Sequence, residues 1–126
     1  MFISYARKDF DRIALTLDQI QQIGHDVWWD VDIEPSADWK EVLSARIARS
    51  RGVILFVTEM AAKSDFIRWE ISEAKRTVKS ILAVKLDDVD PASEVGALLK
   101  QYQYIVDPGV NPSRELEFAL RRMTAR

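Results

Sequence analysis

One acid stands inside an apolar helical pattern in the segment SDFIRWEISEA, residues 64–74. Glu70 follows Phe66 by four residues, so on a helix the carboxylate and the ring share a face one turn apart. No lysine or arginine lies three or four positions from Glu70, and its i+3 neighbour, Glu73, carries the same charge. An acid chosen for helix stability usually has a cation at that spacing. Three roles stay open: a solvated surface group, a structural anion near the helix N-terminus or paired with a basic residue such as Arg7, and a carboxylate that stabilises positive charge in a site.

Other candidates gather at three loops. In SYARKD, Arg7 and Lys8 could hold phosphate or be ordinary loop cations, and Ser4 and Tyr5 could line a crevice or simply end a strand. In DVDIEPSADW, Asp30 reads as a turn residue able to orient the loop, and Trp39 as a packing anchor or a stacking partner. Trp28 and Trp29, adjacent on a strand, must point to opposite faces. The run DDVD, residues 87–90, has the look of solvated acids on a loop rather than a metal site. Zero cysteines exclude disulfides, thiolate catalysis and cysteine zinc centres, and the lone His25 excludes any site needing two histidines. No metal site is expected. Neither GXGXXG nor GXXXXGK occurs, and there is no nucleophile elbow, so phosphate would have to be held by side chains and helix ends.

The elements that position these residues alternate between two periods. Short apolar runs at MFISY, HDVWW, GVILFV, SILAVKL and YQYIV read as five strands. Between them lie helical patterns. The first has Phe10, Ile13, Ala14, Leu17 and Ile20 on one face, with Asp9 as N-cap and Gly24 as stop. The second would bury Trp39, Val42, Leu43, Ile47 and Ala48, and the third Ile67, Ile71, Ala74 and Val78. A short helical piece covers Val95 to Leu99, and a last helix, opened by Asn111 and Pro112, turns Leu116, Ala119, Leu120 and Met123 inward. Strands alternating with helices imply an α/β fold: a flavodoxin-like five-stranded parallel sheet, order 2-1-3-4-5, with helices on both faces. Ligands of such sheets bind beyond the carboxyl ends of the strands, where the order reverses, and the three loops above meet there.

With 126 residues, 48% hydrophobic and 30% charged, residues 1–126 are expected to form a single domain, equally suited to being one module of a longer protein. The net charge of −2 gives no basic excess that would point to nucleic acid or an anionic membrane as partner. No apolar run approaches the roughly 18 residues of a membrane span, and the start lacks the regions of a signal peptide, so a cytoplasmic location is expected.

FISYARKD, VWWDVDIEPSADW and SDFIRWEISEA resemble three signature segments of the Toll/interleukin-1 receptor (TIR) domain, in the same order and at similar spacing. The resemblance spans essentially the whole chain. It implies an NAD-cleaving enzyme, with NAD as substrate rather than cofactor, in which a glutamate on the third helix is preceded four residues earlier by an aromatic. That pattern falls on Glu70 as the catalytic residue and Phe66, with Ser4, Tyr5, Arg7, Asp30 and Trp39 as substrate-binding candidates. The family more often has tryptophan where this chain has Phe66, and glycine where it has Ala37. The resemblance further implies activation by self-association with other TIR domains, and the role of an effector in bacterial defence. The alternative is a non-catalytic TIR scaffold that mediates TIR–TIR interactions.

Overall fold

The computed structural model describes residues 1–29, 38–102, 104–106 and 113–124. In chain order the elements are β1 (Phe2–Ser4), α1 (Phe10–Gln22), α2 (Trp39–Arg49), β2 (Val53–Val57), α3 (Glu59–Ala62), α4 (Asp65–Arg76), β3 (Ile81–Lys85), α5 (Glu94–Gln101), β4 (Tyr104–Val106) and α6 (Arg114–Thr124). A 3-10 turn, Arg7–Asp9, joins β1 to α1.

Among the described residues the sheet has four parallel strands in the order β1-β2-β3-β4, not the expected five. The segment expected to be the second strand does lie beside β1, but as one isolated bridge between Phe2 and Trp28. Trp28 N–H donates to the Met1 carbonyl at 3.0 Å and Ile3 N–H to the Trp28 carbonyl at 2.8 Å. That single repeat of the parallel ladder uses the backbone on both sides of Phe2, and β1 itself is only three residues long. An edge segment with so short a partner has little more to pair with.

Side chains alternate across the sheet, and the core divides accordingly. On one face Ile3, Ile54, Phe56, Leu82 and Val84 pack with Ile13, Leu17 and Ile20 of α1 and Leu116, Ala119 and Leu120 of α6. On the other face Leu55, Val57 and Ala83 meet Ile67 and Ile71 of α4 and Val95 and Leu98 of α5. There Phe2, Val53 and Ile81 also pack with Leu43 and Ile47 of α2. Helices therefore cover both faces, and β2 is buried along its whole length, as its continuous apolar run requires.

Local sequence rules hold at several helix ends and fail at others. Ser64 and Ser93 accept from the amides three residues on, Ile67 and Gly96, and so cap α4 and α5. Gly24 has φ 109° at the end of α1, where a side chain would be strained. Within α5, a Cβ on Gly96 would lie 2.1 Å from the Asp90 carbonyl oxygen, so this helix requires glycine there. Asp9 does not cap α1; its carboxylate is turned inward and accepts from the Thr58 hydroxyl at 2.6 Å. The buried stripe of α2 is narrower than expected: Leu43 and Ile47 are buried, Trp39 is half-buried, and Val42 and Ala48 face outward. Only the flank that meets α4 and the sheet excludes water.

Val78 corrects the expected core stripe of α4. The helix ends at Arg76, and Val78 is 89% exposed with φ 56°. Val78 N–H donates to the Lys75 carbonyl at 3.1 Å and Lys79 N–H to the Ala74 carbonyl at 2.9 Å. This is the Schellman arrangement, with a β-branched residue in the left-handed position that glycine normally takes. The expected cap pair Asn111 and Pro112 lies outside the described residues.

Candidate active site

α4 runs from the carboxyl-end side of the sheet, with Ser64 as cap and Asp65 in its first turn. Its buried positions are Ile67, Glu70, Ile71 and Ala74, which are three or four apart and share one face. Glu70 thus belongs to the inward stripe and is 2% exposed. Burying a carboxylate is costly without hydrogen-bond partners. Ser4, the last residue of β1, supplies one: its hydroxyl donates to Glu70 Oε1 at 2.9 Å, between two buried groups 66 residues apart in sequence.

Strand alternation decides which other candidates reach Glu70. Phe2 and Ser4 face α2 and α4, whereas Ile3 and Tyr5 face α1 and α6. Tyr5 packs on Phe10 with ring centroids 6.1 Å apart. With Arg7, Phe10 and Trp29 it lines a separate cavity of about 380 Å³ on that side. The structure therefore unites Ser4 with Glu70 and sends the Tyr5 ring to the opposite face of the sheet. Arg7 is exposed in the 3-10 turn at the mouth of the Tyr5 cavity. Asp30 lies outside the described residues. As strand geometry dictates, Trp28 packs on Phe2 on one face and Trp29 on Phe10 on the other.

Phe66 and Trp39 come together. Trp39, the first residue of α2, stacks on Phe66 with centroids 5.0 Å apart and planes inclined by 26°. Trp69 meets Trp39 edge-on at 5.3 Å. The ring one helical turn from Glu70 already carries an indole against its face. Trp69 was not singled out in the sequence, although it stands three residues after Phe66 and next to Glu70.

Two polar networks flank the site, one among the segments at the carboxyl ends of the strands and one between α2 and the last turns of α4. In the first, Thr58, just after β2, donates to the buried Asp9, and Arg12 bridges from Asp9 to Asp87. Arg12 grips Asp87 with both terminal guanidinium nitrogens, at 3.1 and 2.7 Å, and Asp87 also accepts from Glu59 N–H at 3.0 Å. The Arg12 hydrogen bonds hold the Asp87 carboxyl below its ordinary range. The chain segments that follow β1, β2 and β3 are thereby tied together. The other acids of the DDVD run take separate partners, Asp88 with Lys85 and Asp90 with the Ala92 amide. Among the described residues no group of three or more potential ligands converges on a metal position.

The second network lies one turn beyond Glu70. Glu73 receives two hydrogen bonds from Arg76, at 2.8 and 2.7 Å, and one from the Ser44 hydroxyl of α2 at 2.6 Å. Arg76 first and Ser44 second lower its pKa from 4.5 to about 2. The like charge next to Glu70 is thus directed at α2 and locks the two helices at a fixed register. His25 lies at the opposite end, in a cavity with Trp28 and Arg46.

The profile of the TIR domain family matches residues 1–121. The chain belongs to the TIR domain family. Among solved structures, this TIR domain is similar to the TIR domains in the activated Roq1 resistosome that directly recognises the pathogen effector XopQ. The TM-score is 0.59 at 15% identity, over 98% of this chain and 81% of that one, which shows a shared fold. No curated protein matches the chain. Among its described residues no helix is long and apolar enough to cross a membrane.

Proposed function

We propose that this TIR domain is an NAD+ glycohydrolase of the cytoplasm, activated by self-assembly and serving bacterial defence, with Glu70 as its catalytic residue. The observation that carries the reading is a buried carboxylate at the carboxyl end of β1, oriented by Ser4, with an aromatic ring one turn away.

The chemistry suits a single acid. Nicotinamide leaves with the electron pair of its bond to the ribose, as a neutral pyridine, so no general acid is needed. The ribose becomes oxocarbenium-like and positive. A carboxylate that accepts hydrogen bonds from ribose hydroxyls stabilises that charge, more strongly in a dry site than in water. Water then adds to the anomeric carbon and gives up a proton, yielding ADP-ribose; attack by another group of the same molecule yields a cyclic product. Phe66 would take the nicotinamide face, which requires Trp39 to move aside. Assembly of neighbouring domains would supply that opening, and the likeness to TIR domains of an activated resistosome supports such assembly.

The test is nicotinamide release from NAD by protein fused to an oligomerising tag, beside the monomer and the clustered Glu70→Gln variant. Clustered wild type is expected to turn over and Glu70→Gln to lose about 100-fold or more, the scale of one lost charge-stabilising group. Equal release by the two removes Glu70 from the mechanism.

A second reading has its own support: an acid 2% exposed and bonded to Ser4 also describes a structural group in a non-catalytic TIR scaffold. The scaffold would assemble without turnover and would gain no thermal stability from NAD. An NAD-binding domain at a hundredfold excess over Kd gains about 2.7 kcal/mol.

A further inference from the structure

The end of the sheet opposite Glu70 has a different character from the rest of the domain. Where β3 begins, α4 and α6 end around a cavity of about 480 Å³. Lys75, Lys79 and Arg122 stand at its walls, Ser80 and Tyr102 contribute hydroxyls, and Ile81 and Met123 are among its apolar lining. Among the described residues no aspartate or glutamate lines it. Among the described residues none of the three cations forms an ion pair; Lys75 lies over the Tyr102 ring at 6.0 Å and Arg122 over Phe118 at 5.9 Å. Three positive charges with no ion pair among the described residues thus share one concavity in a chain whose net charge is −2.

Basic residues in a last helical turn ordinarily serve the helix itself, by capping carbonyls and offsetting the dipole. Here the carbonyls are already satisfied. Glu73 C=O accepts from Thr77 N–H at 3.0 Å and from the Thr77 hydroxyl at 2.8 Å, Lys75 C=O accepts from Val78 N–H, and Ala74 C=O from Lys79 N–H. In α6 the Thr124 hydroxyl donates to Leu120 C=O at 2.9 Å. The ammonium groups of Lys75 and Lys79 are therefore not consumed as caps. The Schellman turn, with Val78 in its left-handed position, joins Lys75 to Lys79, both of which line the cavity.

We propose that this cavity binds a diphosphate group, free or carried on a lipid headgroup. A single phosphate, at about −1.5 to −2, would leave part of the charge of three cations unmatched, whereas a diphosphate engages all three. Ser80 and Tyr102, also in the lining, carry hydroxyls that can donate to its oxygens. The site is separate from Glu70 and stands whether or not the domain cleaves NAD.

The experiment is calorimetric titration of inorganic pyrophosphate into wild type, the Lys75→Gln/Lys79→Gln double variant, and Arg49→Gln. Arg49 lies in the neighbouring basic cavity with Arg46, Arg51 and Asp26, and so controls for general surface charge. A second arm measures cosedimentation with phosphatidylcholine vesicles containing a bisphosphorylated phosphoinositide. Lys75 is exposed and Lys79 half-buried, so the double variant should stay folded, which circular dichroism checks. Saturable one-site binding of pyrophosphate, weakened at least tenfold in the double variant and unchanged in Arg49→Gln, supports a site for a free diphosphate. Vesicle binding lost in the same variant assigns a lipid source. Absence of saturable binding in both arms, or equal weakening by Arg49→Gln, overturns the proposal.

Discussion

The Ser4–Glu70 hydrogen bond is the contact on which the candidate site turns, and a double-mutant cycle measures it directly. Both partners are buried, at 0% and 2% exposure, and the bond is 2.9 Å long. A hydrogen bond to a charged group contributes a net 1.5–3 kcal/mol or so, and the low local dielectric around a buried pair favours the upper part of that span. Ser4→Ala removes the donor and leaves the carboxylate short of one partner in a place water does not reach. Glu70→Ala removes the acceptor together with its charge. If the two side chains interact as the geometry requires, the double variant will be less destabilised than the sum of the singles by about 1.5 kcal/mol or more. Urea unfolding of the four proteins reads this energy, with the unfolding slope unchanged among them. The cycle also has a functional half: Ser4→Ala should slow nicotinamide release by clustered protein, yet change nothing in the Glu70→Ala background. Additivity of the two stability effects within about 0.5 kcal/mol would show that the groups do not couple, and would refute the claim that β1 orients the carboxylate.

Val78→Gly should stabilise the protein. A left-handed conformation costs a residue with a Cβ about 1–2 kcal/mol, glycine gives back part of that as chain entropy, and a side chain 89% exposed forfeits little burial. A gain of about 1 kcal/mol, or about 4 °C in Tm, is expected by thermal unfolding, and a loss would contradict the turn geometry. Glu73 has a folded-state pKa of about 2 against 4.5, so its contribution to stability is present above about pH 4.5 and disappears as pH falls toward 2. Arg76→Gln should move the Glu73 titration, followed by carboxyl carbon-13 shifts, back toward 4.5 and flatten the acid limb of the stability profile.

Glu70 was legible as an anomaly, because an acid without an i±3 or i±4 cation breaks a local rule of helix chemistry. Its burial did not follow from the sequence, where a solvated surface role stayed open, although it falls at helical spacing between Ile67 and Ala74. Nor did its partner. Ser4 is 66 residues away, and pairing across that interval depends on which face of β1 the residue takes and on where α4 crosses it. Tyr5, one residue on, therefore looked equivalent in sequence and ended on the other side of the sheet. Trp39 and Phe66 each drew notice as single rings; that they stack on one another follows only from how α2 lies against α4.

The errors have a common origin in edges and ends. Periodicity extended the α4 stripe to Val78 because it cannot sense that the helix has stopped two residues earlier. It made a strand of residues 25–29 because an apolar run reads the same whether one or several backbone pairs form. Asp9 fitted a cap by type and position, but its carboxylate turns inward to accept from the Thr58 hydroxyl instead.

What the chain settled by itself was the alternation of period 2 and period 3.6, the family to which it belongs, and the presence of one unexplained acid. These are local properties, fixed by neighbours a few residues apart. The tertiary structure alone decided that this acid meets a serine from the first strand, that an indole covers the ring beside it, and that three cations gather at the far end with no ion pair among the described residues. Hydrogen bonds and charge act over a few ångströms of space, and distance in space between residues far apart in sequence is set by packing.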